Sequence, residues 1–163
     1  MHNYHTPVLI ESLIKVLQIQ TPHPIFVDAT FGAGGYTKAL LNAFPQTRCI
    51  YAVDRDPIAF ALATALQQTV GTTQIVPILG RFSKLKEIVN EPAVDAVLFD
   101  VGLSSMQISD ANRGFSFNAP FPIDMRMGTN EEGCSASDIV NGLQPDILSE
   151  IFRKVIQKLF IFT

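Results

Sequence analysis

Apolar residues along this chain alternate between two spacings. From Val8 to Ile19, the residues Leu9, Ile10, Leu13, Ile14, Val16 and Leu17 recur at helical intervals. Thr21-Pro-His-Pro24 breaks that pattern. Ile25–Ala29 is a short apolar run that reads as a buried strand, and Thr37–Phe44 reads as the helix after a Gly-rich turn. Ile50–Val53 predicts a second strand. Asp56-Pro57 then opens a helix to about Gln68, with Asp56 as cap and Pro57 in the first helical position. Ile75–Leu79 predicts a third strand, Ser83–Val89 a short helix and Ala93–Val101 a fourth strand. Nearly unbroken apolar strands that alternate with helices predict an α/β fold with a parallel sheet covered on both faces.

From Gly102 to Cys134 the periodicity stops. This stretch mixes Gly, Ser, Asn and Pro with Phe115, Phe117 and Phe121 and with Arg113 and Arg126. A loop of that length inside a compact domain is usually functional or disordered, and its aromatics speak against disorder. It reads as an active-site loop, with a surface excursion packed by its own phenylalanines as the plainer alternative. Ser135–Val140 predicts a short capped helix ended by Asn141-Gly142. Pro145 starts another, with apolar positions Ile147, Leu148, Ile151, Phe152, Val155, Ile156, Leu159 and Phe160.

Composition narrows the class. With 163 residues and 47% hydrophobic content, the chain is large enough for one domain with a real core. Its net charge of −3 argues against dominant non-specific nucleic-acid binding, which runs on Lys and Arg contacts to phosphate. Two cysteines, Cys49 and Cys134, make no disulfide framework, so a reducing compartment is the simpler reading. No apolar run reaches transmembrane length, and no signal peptide or Arg-rich presequence is visible.

The candidate chemistry lies at the strand ends, where open parallel sheets bind their ligands. The first strand ends in Asp28 and is followed by Gly32, Gly34 and Gly35 before the helix begins. A tight glycine turn at a helix start lets backbone N–H groups approach a nucleotide-like ligand. The second strand ends in Asp54, 19 positions after Gly35, about the separation (roughly 20) at which an acid meets ribose hydroxyls. The fourth strand ends in Asp100, a candidate ligand contact. Phe82, just past the third strand, suits packing beside an adenine ring, or plain core. Asp28 alternatively caps the turn, and Asp56 reads as a helix cap only. In Gly32-Ala-Gly-Gly-Tyr-Thr37 the third glycine of a dinucleotide turn is absent. The pattern better suits S-adenosyl-L-methionine, which has adenosine and an amino-acid tail but no phosphate.

Seven strings occur in order: His5-Thr-Pro-Val-Leu9, Asp28-Ala-Thr-Phe-Gly-Ala-Gly-Gly35, Asp54-Arg-Asp-Pro57, Phe99-Asp-Val-Gly-Leu-Ser-Ser-Met-Gln107, Arg113-Gly-Phe-Ser-Phe117, Pro122-Ile-Asp-Met-Arg-Met127 and Ser135-Ala-Ser-Asp-Ile-Val-Asn141. Together they resemble the RNA cytosine-N4 methyltransferases of the bacterial small-ribosomal-subunit family and their mitochondrial relatives, over roughly residues 5 to 153. The Arg-Gly-Phe-Ser-Phe and Asp-Met-Arg-Met strings are specific to that family; the glycine turn is general. The resemblance implies a Rossmann-like class I methyltransferase fold, S-adenosyl-L-methionine as cofactor, and transfer to the N4 of a cytidine in small-subunit ribosomal RNA. It carries cofactor contacts onto Gly34, Gly35, Tyr36, Asp54, Phe82, Asp100 and Gln107. Tyr36 departs from the family's usual His, and only the resemblance singles out Gln107. Asp100 is the candidate catalytic group, orienting the target amine. Phe115 and Phe117 are candidates to stack on an unstacked base, and Arg113 and Arg126 to hold phosphate. The plainer alternative has the phenylalanines pinning the loop and Arg126 pairing with Asp124. No metal is expected. The implied partner is ribosomal RNA or the small ribosomal subunit, with no membrane.

The resemblance also implies a division of the chain. Residues 1–134 form a partial cofactor-binding core with its active-site loop at 102–134, and 135–163 the start of a helical insertion. Residues 155–163 do not match, and the family's later strands have no counterpart, which points to a C-terminally truncated or mis-spliced chain. A sheet with only the N-terminal strands leaves an edge or face uncovered, so a weakly stable fragment is expected. The strings lie nearer the mitochondrial branch, which favours the mitochondrial matrix, with the cytoplasm as the bacterial alternative. Competing readings are a fragment that keeps only cofactor binding, a methyltransferase with a small-molecule substrate, and a nucleotide-linked oxidoreductase.

Overall fold

The computed structural model describes residues 9–117, 123–128 and 133–160. His5-Thr-Pro-Val8, Phe121, Pro122 and the last three residues of the divergent tail lie outside the described residues. The described residues fall into two compact units: one runs to Ser109 and takes in Met127 and Gly128, the other holds the remainder.

The first unit is built from α1 (Ile10–Val16), β1 (Ile25–Asp28), α2 (Gly35–Ala43), β2 (Cys49–Asp54), α3 (Pro57–Gln67), β3 (Gln74–Leu79), a 3-10 turn at Phe82–Lys84 running into α4 (Leu85–Ile88), β4 (Ala96–Leu98) and α5 (Ser105–Ser109). The four strands form one sheet in the order β3-β2-β1-β4, and every pairing is parallel. Alternation along the strands divides the core. Phe26, Ile50 and Leu98 pack with Leu40 of α2 and with Leu13, Ile14 and Leu17 of the first helical segment. Ala52 and Ile75 join Ala59 and Ala63 of α3 on that same side. Val27, Ala29 and Val53 face the other way, against Leu85 and Ile88 of α4. The expected sheet, apolar on both faces, is therefore present. Among the described residues of this unit, its second face packs against the short α4 and the segment after it, through Val89 and Val94, and Val97 and Phe99 near the β4 edge are about half exposed.

The predicted helix and strand positions hold in the first unit, with differences at β4 and after Gly102. Instead of running from Ala93 to Val101, β4 spans three residues. It is an edge strand paired only with β1, from Phe26↔Ala96 to Asp28↔Leu98, and regular pairing stops where its single neighbour stops. The stretch after Gly102 is also less irregular than its lost periodicity suggests, because it holds α5 and a further 3-10 turn at Ala111–Arg113.

The second unit carries that turn, α6 (Ala136–Gly142) and α7 (Pro145–Phe160). The Ser135 hydroxyl accepts from Asp138 N–H and the Asp138 carboxylate accepts from Ser135 N–H, a reciprocal cap at the start of α6. Asn141 and Gly142 form its last turn rather than its stop. The backbone of Ile123 and Asp124 accepts from Ser137 and Ala136 N–H at 2.8 and 2.9 Å, which ties the Asp-Met-Arg-Met string to this helix.

Gly32 and Gly34 both take left-handed backbone angles, φ +54° and +77°. A Cβ at Gly34 would lie 2.7 Å from the ring of Phe31, itself buried, whereas one at Gly32 would meet nothing closer than 3.8 Å. Gly34→Ala is thus expected to lower the unfolding free energy by about 2–4 kcal/mol and Gly32→Ala by only about 1–2 kcal/mol. Urea unfolding of both variants checks the order; equal losses would contradict the close packing of Phe31 under the turn.

Candidate active site at the strand ends

Backbone hydrogen bonds carry the sheet past its formal ends and fix the loops there. Ala29 N–H donates to Leu98 O at 2.9 Å, and Phe31 N–H to Val53 O at 3.0 Å. The segment leaving β1 is thereby held between β4 and β2 before the turn begins. Gly34 N–H closes the turn on Phe31 O at 2.8 Å, and α2 starts at Gly35. On the far strands, Gly80 N–H donates to Asp54 O at 2.8 Å and Asp100 N–H to Thr30 Oγ1 at 2.7 Å.

Asp54 sits at the centre. One carboxylate oxygen accepts from Gly32 N–H at 2.8 Å and the other from Asp56 N–H at 2.9 Å. The same side chain therefore shapes the glycine turn after β1 and the start of α3 after β2. Burial raises its pKa above the ordinary carboxylate value, against the two N–H donors. Asp56 is buried and caps α3 by accepting from Ile58 N–H at 3.0 Å, as the sequence predicts.

Asp56 does more than cap. Its second oxygen accepts from Gln107 Nε2 at 3.0 Å, and that amide also donates to Met127 O at 3.3 Å. Gln107 is 4% exposed, and its Oε1 accepts from Ser104 N–H while Ser104 Oγ accepts from Gln107 N–H. Ser104-Ser-Met-Gln107 is thus a capping box, a signal legible in the sequence as S-x-x-Q but not read from it. The joint to Asp56, 51 positions away, had no local signal.

Asp28 is 1% exposed, and its Oδ2 accepts from Thr37 Oγ1 at 2.7 Å, within the first turn of α2. Its Oδ1 has no hydrogen-bond partner. Burial pushes the pKa up from 3.8 to about 6, the Thr37 hydroxyl opposes the shift, and the charge on Asp54 adds to it. Tyr36 is partly buried among the residues around Phe26 and Leu40, and burial and the charges of Asp100 and Asp28 raise its phenol pKa. Asp100 is exposed. Phe82 is 44% exposed and meets Phe99, 53% exposed, edge to face with ring centroids 5.7 Å apart and planes at 89°.

The structure brings Gly34, Gly35, Tyr36, Asp54, Phe82, Asp100 and Gln107 to loops at the carboxyl ends of one sheet. Asp28 and Asp56 lie there as well, each 1% exposed, so the carboxylates that reach the surface are Asp54 and Asp100. That acidic rim suits a ligand with a cationic centre and hydroxyls better than one with a pyrophosphate. Among the described residues, no three His, Cys, Asp or Glu side chains are placed to hold a metal.

The candidates in the second unit separate. Arg113 is 5% exposed, and its Nη2 donates to Arg126 O at 3.2 Å while its own carbonyl accepts from Met125 N–H at 3.0 Å. Arg126 Nη2 pairs with Asp124 Oδ2 at 2.6 Å, and this contact holds the Asp124 carboxyl down at about 2. The Arg126–Asp124 pair is the contact that the plainer alternative names, and the Arg113 guanidinium adds a bond to the Arg126 carbonyl. Met125 between them takes a left-handed φ of +59°. Phe115 is partly buried and Phe117 fully exposed.

A parallel sheet between helices, a glycine turn after its first strand and acids at the next strand ends define a Rossmann-like methyltransferase fold. The model of the MraW methylase family matches residues 2–161, and the chain belongs to that family. It is 45% identical over 150 residues to the "Ribosomal RNA small subunit methyltransferase H" of Methylorubrum extorquens, covering 90% of this chain and 41% of that one. It is 40% identical over 156 residues to the "Probable methyltransferase-like protein 15 homolog" of Drosophila melanogaster, covering 91% and 43%. The chain therefore spans about two fifths of the length of the curated relatives it matches. A crystal structure of the tRNA m1G37 methyltransferase of M. jannaschii aligns with 61% of the chain and 30% of its own, at 22% identity and a TM-score of 0.44.

Because folding raises the pKa of Asp28, the folded state holds its proton more tightly than the unfolded chain does. That contribution to stability is complete below about pH 4 and is lost as the pH rises to about 6. Asp28→Asn keeps an acceptor for Thr37 and removes the titration. The variant is expected to flatten the fall in unfolding free energy between pH 4 and 6, a fall on the order of 1–3 kcal/mol in the wild type. Urea unfolding across that range checks it; an unchanged pH profile would contradict the burial of an ionisable Asp28.

Proposed function

We propose that the strand-end loops bind S-adenosyl-L-methionine and that the protein methylates the N4 of a cytidine in small-subunit ribosomal RNA. The observation that carries the cofactor reading is the Asp54 carboxylate, which holds the glycine turn open at Gly32 on one side and borders the α3 cap on the other. The residues present fit the group. Gly34 packs on the Phe31 ring with no room for a Cβ, and Gly35 and Tyr36 open α2 just after it, partly exposed, so their backbone N–H groups would meet the amino-acid tail. Asp54 would take the ribose hydroxyls, Phe82 the adenine, and the acidic rim the positive charge. When bound, the cofactor supplies an activated methyl group on a sulfonium.

The chain's own residues then supply position. Asp100, exposed just beyond β4, would accept a hydrogen bond from the exocyclic amine of a bound cytosine and so orient its lone pair, and the proton that the amine gives up on methylation would pass to this carboxylate or to water. Fixing both reactants near attack distance lowers the barrier without a strong general base. A cytosine enters such a site only when unstacked, and Phe117, fully exposed, is the candidate to stack on it. Phe115, partly buried, is the second stacking candidate, while Arg113 and Arg126 bond within the loop. Gln107 acts through Asp56, as a positioning residue for the cofactor loops. The ribosomal RNA substrate is supported by the names of the relatives, and the N4 target by the resemblance of the motif strings alone. The likeness to the Drosophila protein supports a mitochondrial location, and the bacterial relative the cytoplasmic one. No described helix is long and apolar enough to cross a membrane.

A second reading, cofactor binding without transfer, has one observation in its favour: the chain covers only 41% of its bacterial relative. Methyl transfer to a small-subunit ribosomal RNA hairpin separates the two.

Calorimetric titration with S-adenosylhomocysteine tests the cofactor site. Asp54→Asn is expected to weaken binding by roughly 10- to 100-fold, as for loss of a charged hydrogen-bond partner, while circular dichroism shows the fold retained. Unaltered binding by the folded variant would move the site away from these loops.

A further inference from the structure

The Phe82–Phe99 contact joins parts of the sheet that the strand order keeps apart. β3 and β4 are separated by β2 and β1, three inter-strand spacings or roughly 14 Å. The rings nevertheless lie 5.7 Å apart, so the segments leaving both strands lean inward over the ends of β2 and β1. Each segment is anchored to that central pair: Gly80 N–H donates to Asp54 O, and Asp100 N–H, next to Phe99, donates to Thr30 Oγ1. Alternation from Leu98, which packs with Phe26 and Ile50, puts Phe99 on the side of α4. Phe82 opens the turn that leads into that same helix. The pair is thus an aromatic bridge between the segments that leave β3 and β4, on the side of α4, and it is still about half exposed. Apolar rings left open at the same edge of the sheet as Asp54, whose carbonyl accepts from Gly80 N–H, offer the area that a purine would cover.

We propose that Phe99 is a positioning residue for the cofactor's adenine: its ring sets the orientation of Phe82 through the edge-to-face contact, and the bridge, not Phe82 alone, is the adenine wall. This rests on the cofactor reading given above. Backbone bonds from Gly80 to Asp54 and from Lys84 to Arg81 fix the main chain around Phe82, and the Phe99 ring is the aromatic contact that its side chain makes among the described residues.

Titration of the full chain with S-adenosylhomocysteine tests the bridge. Phe99→Ala is expected to weaken binding by roughly 3- to 10-fold, the worth of an aromatic pair, and Phe82→Ala at least as much. The double variant should bind within about twofold of Phe82→Ala alone, because the second loss has already occurred. Phe99→Tyr should restore wild-type binding. Phe99→Leu, which keeps the apolar bulk and the fold but lacks the ring edge, should not. Asp54→Asn combined with Phe99→Ala should lose the product of the two single losses. Additive losses at Phe82 and Phe99, or full binding by Phe99→Leu, would overturn the bridge while leaving the cofactor site standing. Unaltered binding by both Phe82→Ala and Asp54→Asn would overturn the cofactor site and the bridge with it.

Discussion

The carboxylate of Asp54 is the joint on which the strand-end loops of the first unit depend. It accepts one N–H from the glycine turn after β1 and one from the start of α3 after β2, while its own carbonyl accepts from Gly80 after β3. Three loops that share no sequence neighbourhood are referred to one residue. The arrangement is possible because parallel strands put all their carboxyl ends on one edge, and β1 and β2 are in register over Ile25↔Cys49 to Asp28↔Ala52. Removing a carboxylate from water is costly, and its raised pKa records that cost. The N–H donors offset it and keep the group shaped for a ligand with hydroxyls.

A second layer supports the first. Asp56 caps α3 and also accepts from Gln107, whose other contacts close the capping box of α5 and reach Met127. Asp28 underlies the turn with one oxygen on Thr37 and one without a partner. A buried acid with an unfilled oxygen is a source of strain that packing alone gives no reason to keep. Its place beneath a ligand-binding turn is consistent with a site whose local stability is traded for a fixed shape.

Much of this was legible in the chain. Apolar runs marked the four strands, Asp56-Pro57 marked the start of α3, and Ser135 with Asp138 marked the start of α6, because caps and periodicity are local. The positions of Asp28, Asp54 and Asp100 followed from where those runs end. What escaped depends on distance through space. Gln107 to Asp56 and Phe82 to Phe99 join residues that no pattern pairs. The shortness of β4 reflects its single neighbour rather than its own apolar content. Arg113 reads as a phosphate contact in sequence, and the structure buries it, with the Arg126 carbonyl accepting from its guanidinium.

The most direct test of the account is hydrogen exchange of the full chain with and without saturating S-adenosylhomocysteine, followed by mass spectrometry. The account predicts slowed exchange in peptides over residues 28–38, 52–58, 80–84 and 98–108, which carry the loops joined through Asp54 and Asp56. Little change is predicted over α6 and α7. Protection confined to the second unit, or none at the strand ends under saturating ligand, would contradict it.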